Sequence, residues 1–397
     1  MSNIIYVILF LLFLSDSAFG RGWFPIGDFL PRLALFGLLF LCNNKAIFNR
    51  RVLLVLVYYL YIIFMDFSAL NETDLVGLFV TFFEIVLPLA ILELLINHGC
   101  TKDLNMINNY SVLISLATMI GTLTMLSYNP SIARLMASST NFEGGLSEMR
   151  NFQKMGVAGY DFSAIVMFFP VLIVAYYKAF NLKKIYAIVA LFLCYLFLFK
   201  VQSSTPMILS IVITAVAFFI NENTKGYFII QAAALILIMG FFFPVFLDIV
   251  VPYVGGTAFE NKVIGLAEFS ETGQTSGEVL GRYELYQISM DSFRENVLFG
   301  RSDAYIGGHS FILDRLACYG LIGVFLFIYS SYFTIKRAYI WISYPYRWYY
   351  LLCVIALLVF ALIKNMAGMD YWLYILVYIP CLFKAFEIKQ INSLNTK

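Results

Sequence analysis

Long uninterrupted apolar runs recur along this chain and constrain its fold more than any other feature. Many of them are long enough to cross the hydrocarbon core of a bilayer, which is about 30 Å thick. Apolar side chains make up 61% of the 397 residues and charged ones 13%. In soluble domains about 45–50% of the residues are apolar and about 25% are charged. The surface area of a folded protein grows too slowly with its mass for such an apolar excess to be buried. A soluble enzyme, a disordered chain and a fibrous chain are therefore excluded, and the sequence predicts an all-α polytopic membrane protein.

The apolar runs predict a single integral membrane domain over residues 1–397 with about twelve transmembrane helices. The predicted spans are 3–20, 29–43, 52–69, 75–97, 109–128, 162–180, 184–200, 205–221, 227–247, 316–334, 348–365 and 368–384. Residues 1–5 carry no Lys or Arg. We therefore expect the first run to be a retained helix and not a signal peptide.

The Lys and Arg residues of the short loops predict the orientation of these helices. With twelve spans, fourteen of these residues fall on one side of the membrane and four on the other. Cationic loops face the cytoplasm, so we expect both termini to be cytoplasmic. Two long polar segments, 129–161 and 248–315, then lie on the outer face. Long loops on a rigid scaffold commonly carry function.

The larger outer segment contains a predicted amphipathic helix at 278–298, which Gly300 is expected to end. The apolar positions of this helix recur at three- and four-residue spacing; they are Tyr283, Tyr286, Met290, Phe293 and Val297. Arg282 lies in the first turn. One interpretation is a solvated cation paired with Glu278. The other is an anion contact, because a helix N-terminus and a guanidinium fork both suit phosphate oxygens.

His309 follows two glycines in the same segment and precedes a predicted transmembrane helix. Glycine allows unusual backbone dihedrals or a close approach to a ligand. His309, with Arg301 nearby, is therefore either a structural residue or part of a site at the outer membrane edge.

The smaller outer segment ends with two cations and an aromatic residue: Arg150, Lys154 and Tyr160. This pattern suits a polyanionic headgroup with a sugar stacked on Tyr160, but it also fits a solvated loop with an interfacial tyrosine. Two acidic residues, Glu84 and Glu93, lie inside one predicted span. We expect them to pair with Arg32 or Lys364, or to line a cavity.

Several other classes of site are disfavoured by residue type and spacing. The six cysteines lie in or beside apolar runs without CxxC spacing, and the chain has two histidines, so neither a disulfide scaffold nor a metal site is predicted. No phosphate-binding loop of the GxxxxGK[ST] type is present. The net charge of +2 gives no indication of a nucleic-acid partner.

Four short patterns of the larger outer segment resemble the O-antigen polymerases and O-antigen ligases. They are Gly281-Arg282-Tyr283, Phe299-Gly300, His309-Ser310 and Gly320-Leu321-Ile322-Gly323. In those families an Arg opens an outer helix, and a Phe-Gly, a His and a Gly-Leu-Ile-Gly helix follow. The resemblance covers about 40 residues. At the Ser-Arg-Thr that the family often carries, this chain has Ser203-Ser204-Thr205, with Lys200 four positions before Ser204.

The resemblance implies a metal-independent glycosyltransferase of the bacterial inner membrane, with periplasmic outer segments and no cofactor. Its substrates would be polyprenyl-pyrophosphate-linked oligosaccharide repeat units, and a chain-length regulator in the same membrane is a possible partner. Arg282 and His309 are then the expected catalytic residues. The expected pyrophosphate- and substrate-binding residues are Arg282, Lys200, Arg301, Arg150, Lys154 and Tyr160.

Polymerisation of lipid-linked repeats is the function that this resemblance favours, and three alternatives stay open. An O-antigen ligase uses the same donor with a lipid A-core acceptor. A flippase for the lipid-linked repeat would also need many spans, although transporters usually show related halves. A metal-dependent transferase needs an acidic pair in the first outer loop, where 20–28 offers only Asp28.

Overall fold

A computed structural model describes the helical framework of the chain. The described residues are 33–34, 37, 40–41, 48–68, 75–98, 101–128, 152, 157–158, 160–180, 183–201, 203–221, 264, 277–302, 306–344, 346–365, 372 and 374–395. Within this part of the chain the regular structure is entirely helical, without strands. The all-α prediction is confirmed to that extent.

The described part of the chain includes eleven α-helices. In chain order they are α1 (Arg50–Ser68), α2 (Leu75–His98), α3 (Thr101–Tyr128), α4 (Tyr160–Val166), α5 (Phe169–Phe180), α6 (Lys184–Lys200), α7 (Ser204–Phe219), α8 (Gly277–Glu295), α9 (Phe311–Trp341), α10 (Tyr346–Ile363) and α11 (Ile379–Asn395), with a π-helical turn at Tyr374–Tyr378 before α11. The predicted spans at 3–20, 29–43 and 227–247, and most of both outer segments, lie outside the described residues.

Four stretches of helix are long and apolar enough to cross a membrane: Lys102–Tyr128, Phe162–Phe180, Phe311–Trp341 and Tyr346–Ile363. Helix α1 adds an exposed apolar stripe at helical spacing, made of Leu53, Val57, Leu60, Phe64 and Phe67. An exposed stripe of this kind is costly in water and favourable in lipid. These features mark the chain as a membrane protein.

Local sequence explains where several helices begin and end. The side chain of Asn49 accepts hydrogen bonds from the backbone N–H of Arg51 at 3.0 Å and of Val52 at 3.1 Å, which caps α1. Pro170 opens α5, and because proline has no N–H, the predicted span at 162–180 is divided into α4 and α5. At the other end of α5, Lys178 donates to the carbonyl oxygens of Phe218 and Ile220, each at 2.6 Å, which satisfies the end of α7.

One buried carboxylate ties α1, α2 and α9 together. Glu93 is 7% exposed and forms ion pairs with Arg51 and with Arg337, the latter at 3.4 Å. Asn97 donates to Glu93 at 3.1 Å and accepts from Arg337 at 3.1 Å. Among the described residues the cations at Glu93 are Arg51 and Arg337, and not the expected Lys364; Arg32, the other expected partner, lies outside the described residues. We refer to this end of the bundle as the Glu93 end.

Helix α9 reverses direction at Gly320, where φ is +61° and ψ is −167°. The ring centroids of Phe311 and Phe327 lie 5.5 Å apart, whereas residues 16 apart in a straight helix are separated by about 24 Å. The helix thus consists of a first leg, residues 311–319, and a second leg, residues 321–341, folded against each other. The predicted span at 316–334 is wrong in its start, because a run of apolar residues does not reveal a glycine that turns the backbone.

Candidate functional site

Segment 297–301 forms backbone hydrogen bonds with α9 on both sides of the reversal at Gly320. The N–H of Leu321 donates to the carbonyl oxygen of Val297 at 2.9 Å, and that of Ile322 donates to Leu298 at 3.1 Å. In return, the N–H of Arg301 donates at 2.8 Å to Ala317, whose carbonyl oxygen would accept from Leu321 in an unbroken helix. Segment 297–301 therefore satisfies backbone groups that the reversal leaves without helical partners.

Helix α1 closes the other side of this break. The hydroxyl of Tyr61 lies 2.9 Å from the carbonyl oxygen of Tyr319 and 3.1 Å from that of Phe299. Gly300 has a φ of +72°, and a Cβ at this position would overlap the backbone of residues 318–320. The Phe-Gly and Gly-Leu-Ile-Gly patterns thus meet face to face, and their glycines are required by the close backbone contact.

A second junction connects α8 to the first leg of α9. The hydroxyl of Ser289 donates to Oδ1 of Asp314 at 2.7 Å and accepts from the N–H of Gly307 at 2.9 Å. Gly307 touches the backbone of Leu285 so closely that a Cβ would overlap it. One hydroxyl and one carboxylate therefore fix the turn that carries His309.

His309 lies beside this junction. It is partly exposed and directly follows Gly307 and Gly308, in the turn that Ser289 holds against Asp314. Asp314 is 6% exposed, and its Oδ2 atom is buried without a hydrogen-bond partner in the described part of the chain. Ser310 caps the first leg by accepting from Leu313 at 3.3 Å. A histidine next to a buried carboxylate can be held in one orientation and stabilised when protonated.

Helix α8 is present, and its most buried position lies beside the predicted apolar stripe, of which Tyr286, Met290 and Phe293 are half-buried. Ser289 is 1% exposed and faces α9, whereas Tyr283 and Val297 of the predicted apolar stripe are 53% and 41% exposed. Ser289 of the helix is hydrogen-bonded to Asp314 and Gly307, so apolar spacing identifies only part of the contact face. At the neighbouring helix, Tyr286 donates to the last-turn carbonyl oxygen of Ile363 at 2.7 Å.

Arg282 lies on α8 seven residues before Ser289. At 100° per residue this spacing is close to two full turns, so position 282 falls on the same side of the helix as Ser289. The side chain of Arg282 is outside the described part of the structure. The backbone therefore brings position 282 and the His309 turn to one helix junction, α8 with the first leg of α9.

The other predicted binding residues fall into separate surroundings. Arg301 forms an exposed ion pair with Glu295 at 2.5 Å. Lys200 is exposed at the end of α6; the turn after it is fixed by a hydrogen bond between Ser203 and Ser163 at 2.9 Å. Within the described residues, no hydrogen bond or ion pair joins Lys200 to Arg301 or His309. Arg150, Lys154 and the side chain of Tyr160 lie outside the described residues.

Sequence reasoning did not identify Ser289 or Asp314 as parts of the site. The available signal was weak: Asp314 occupies the first turn after Ser310, where a carboxylate is common for helix capping alone. Within the described ranges, no cluster of three His, Cys, Asp or Glu side chains could hold a metal ion. No protein-family model matches this sequence, and no curated protein matches it significantly.

Proposed function

We propose that this chain is a polymerase of lipid-linked oligosaccharide repeat units, of the O-antigen polymerase type. The observation that supports the proposal is the junction of Ser289, Asp314 and Gly307, which joins the helix of Arg282 to the turn of His309. These two positions carry the roles that the sequence resemblance implies. A site for an anionic leaving group and a proton acceptor requires such a fixed pair of elements.

In the proposed reaction, a hydroxyl of the acceptor repeat attacks the anomeric carbon of the donor glycan. The bond from that carbon to the pyrophosphate oxygen breaks, and polyprenyl pyrophosphate leaves with the bonding electrons. Arg282 stabilises the charge that develops on the pyrophosphate. His309 either takes the proton of the attacking hydroxyl or donates a hydrogen bond to the pyrophosphate, and Asp314 orients it.

The proposal includes the placement of the chain in the bacterial inner membrane, with twelve spans, cytoplasmic termini and the junction at the periplasmic face. The Glu93 end then faces the cytoplasm. Its cations Arg51 and Arg337 belong to loops of the predicted cytoplasmic side, so the helix packing is consistent with the orientation. Lipid-linked repeats are the substrates, and a chain-length regulator is a candidate partner.

The test is the length distribution of surface polysaccharide in the host bacterium after deletion of the gene and complementation with variants. Arg282→Ala should abolish long chains and leave single repeats on lipid A-core. Arg282→Lys should also be poor, because an ammonium does not reproduce bidentate phosphate contact. The matched control is Arg294→Ala on the same helix, an Arg that is exposed and paired with Asp291.

Two outcomes would reject the proposal. Wild-type chain lengths with Arg282→Ala would remove the pyrophosphate role of that residue. A deletion strain without any repeat attached to lipid A-core would identify a ligase, because a polymerase defect still allows the transfer of single repeats.

A further inference from the structure

Arg50, the first residue of α1, lies on an aromatic ring of α9. Its guanidinium carbon is 4.4 Å from the ring centroid of Phe333, and one of its terminal nitrogens donates to the hydroxyl of Tyr329 at 3.5 Å. The ring centroids of Tyr329 and Phe333 lie 4.9 Å apart, and Phe325 stacks on Tyr329 at 5.6 Å. The guanidinium is therefore held at one end of a row of three rings on the second leg of α9.

Lys336 brings a second cation to the same row of rings. Its ammonium nitrogen is 5.9 Å from the ring centroid of Tyr332, and that ring is 5.5 Å from the ring of Phe333. Arg50 and Lys336 are both exposed. Among the described residues, no acidic side chain forms an ion pair with either of them. One aromatic surface thus carries two positive charges that no described acid neutralises.

The contacts of Arg50 position its guanidinium and leave most of its hydrogen-bond donors available. A cation–π contact restricts the group but uses none of its five N–H donors. The bond to Tyr329, at 3.5 Å, is at the outer limit of hydrogen-bond length. The buried carboxylate of this end, Glu93, is paired with Arg51 and Arg337. The fork of Arg50 is therefore placed to bind an anion, and its geometry suits two oxygens of a phosphate.

Exposed apolar side chains follow on both helices from the two cations toward the bend of α9. On α1, Val57 lies seven residues after Arg50, close to two full turns, and is 48% exposed. On α9, Phe325 lies eleven residues before Lys336, close to three full turns, and is 62% exposed. Each cation therefore shares one side of its helix with exposed apolar surface. A phosphate followed by hydrocarbon chains, as in a phospholipid, complements this arrangement.

We propose that Arg50 and Lys336 bind the phosphate of an anionic glycerophospholipid of the phosphatidylglycerol kind, whose acyl chains lie along the exposed side chains of α1 and α9. Charge complementarity selects this lipid: two cations without an acidic partner in the described part of the chain favour a head group with net negative charge over a zwitterionic one. The bound lipid bridges α1 and the second leg of α9. This inference goes beyond the proposed reaction and requires only that the chain spans a membrane.

The test is lipid binding to the purified full chain in a non-ionic detergent, with native mass spectrometry measuring bound dioleoyl phosphatidylglycerol and, separately, dioleoyl phosphatidylcholine. The unmodified chain should prefer phosphatidylglycerol. Arg50→Gln should weaken the binding of this lipid roughly tenfold, as expected for the loss of charge-assisted hydrogen bonds. Lys336→Gln should weaken it about fivefold, the effect of one cation near an anionic lipid. Neither variant should alter the binding of phosphatidylcholine.

Two further variants separate this site from the general charge of the surface. Phe333→Leu retains both cations but removes the ring under Arg50, and it should weaken phosphatidylglycerol binding several-fold. The matched control is Lys184→Gln, which removes an exposed cation of α6 that contacts no ring among the described residues. This control should leave the affinity unchanged.

Several results would overturn the inference. Equal binding of the two lipids to the unmodified chain would show that the cations do not select the head group. An equal loss of affinity in Lys184→Gln and Lys336→Gln would assign the effect to overall surface charge. Displacement of phosphatidylglycerol by equimolar inorganic phosphate would assign the cations to a free anion and not to a lipid. If Arg50→Gln does not fold, Arg50→Lys and Lys336→Gln decide, and unchanged affinity in both rejects the site.

Discussion

Gly320 and Leu298 lie backbone against backbone. The carbonyl oxygen of Leu298 occupies the space that a Cβ at position 320 would need, and it accepts the N–H of Ile322 at 3.1 Å. Gly320 also has a φ of +61°, a region that side chains with a Cβ rarely adopt. The reversal of α9 therefore depends on this glycine through both dihedral angle and space.

Gly320→Ala should lower the stability of the purified protein by at least about 1–2 kcal/mol, the cost of a left-handed residue, with the overlap adding to it. The measurement is the thermal midpoint in detergent. The matched control is Gly281→Ala in α8, where a Cβ meets nothing within 4 Å. That variant should be neutral or stabilised by up to about 1 kcal/mol. Equal midpoints for the two variants would contradict the reversal.

Ser289→Ala should destabilise the junction, because the change leaves the N–H of Gly307 and the Asp314 carboxylate without a shared partner. A buried group that loses its hydrogen bond costs about 1–3 kcal/mol. The readout is the thermal midpoint together with proteolysis of the His309 turn. Ser127→Ala, at an exposed position of α3, should change the midpoint by less than about 0.5 kcal/mol. If the thermal midpoint of Ser289→Ala changes no more than that of Ser127→Ala, the junction does not contribute to the stability of the protein.

His309→Ala should reduce polymerisation roughly 10²–10⁴-fold if His309 transfers a proton. His309→Gln retains hydrogen bonding but cannot accept the proton, so substantial activity in this variant would assign His309 to positioning. The assay is incorporation of labelled lipid-linked repeats in membranes. Asp314→Asn removes the carboxylate charge near His309. This change should reduce activity if His309 accepts a proton and should leave activity unchanged if His309 only positions the substrate. Full activity in the His309→Ala variant would show that His309 has no role in the reaction.

Glu93→Gln should destabilise the protein by about 3 kcal/mol, because it breaks a buried ion pair. This value is the low end of the usual range, since the side chain of Arg337 is 35% exposed and water can solvate part of its charge. Glu295→Gln breaks the exposed pair with Arg301 and should cost at most about 1 kcal/mol. Urea or thermal unfolding of both variants in detergent gives the comparison. A larger loss for Glu295→Gln would refute the assignment of Glu93 as the structural carboxylate.

Cysteine labelling tests the proposed orientation. A cysteine at Asp291, which is exposed on α8, should react with an impermeant thiol reagent in intact spheroplasts. A cysteine at Lys183, exposed between α5 and α6, should react only after lysis. The opposite pattern would put the junction on the cytoplasmic side and exclude the proposed reaction.

The sequence predicted helix positions well where hydropathy alone decides them. The predicted spans at 52–69, 75–97 and 184–200 differ by a few residues from α1, α2 and α6, because apolar length fixes a membrane helix. It did not predict the reversal at Gly320. That reversal depends on hydrogen bonds from residues some twenty positions earlier in the chain, such as those of Val297 and Leu298 with α9, and no local pattern encodes them.

The site itself stays a prediction. The family resemblance suggested Arg282 and His309 together, and the structure describes the backbone of position 282 and the His309 turn on two elements that pack against each other. Among the described residues no hydrogen bond or ion pair joins Lys200 to α8 or to the His309 turn, and Arg301 is bonded to Glu295. Whether a surface cation meets a ligand depends on tertiary packing. The charge and residue type of Lys200 or Arg301 therefore could not decide it.

The hydrogen bonds that the N–H groups of Leu321 and Ile322 donate to the carbonyl oxygens of Val297 and Leu298 make segment 297–301 and α9 one cooperative unit. Whenever that segment lifts away, two amides near the bend of α9 lose their acceptors and become open to deuterium. Exchange at Leu321 and Ile322 should thus report openings of segment 297–301. A ligand that holds this segment in place should slow exchange at the two amides of α9.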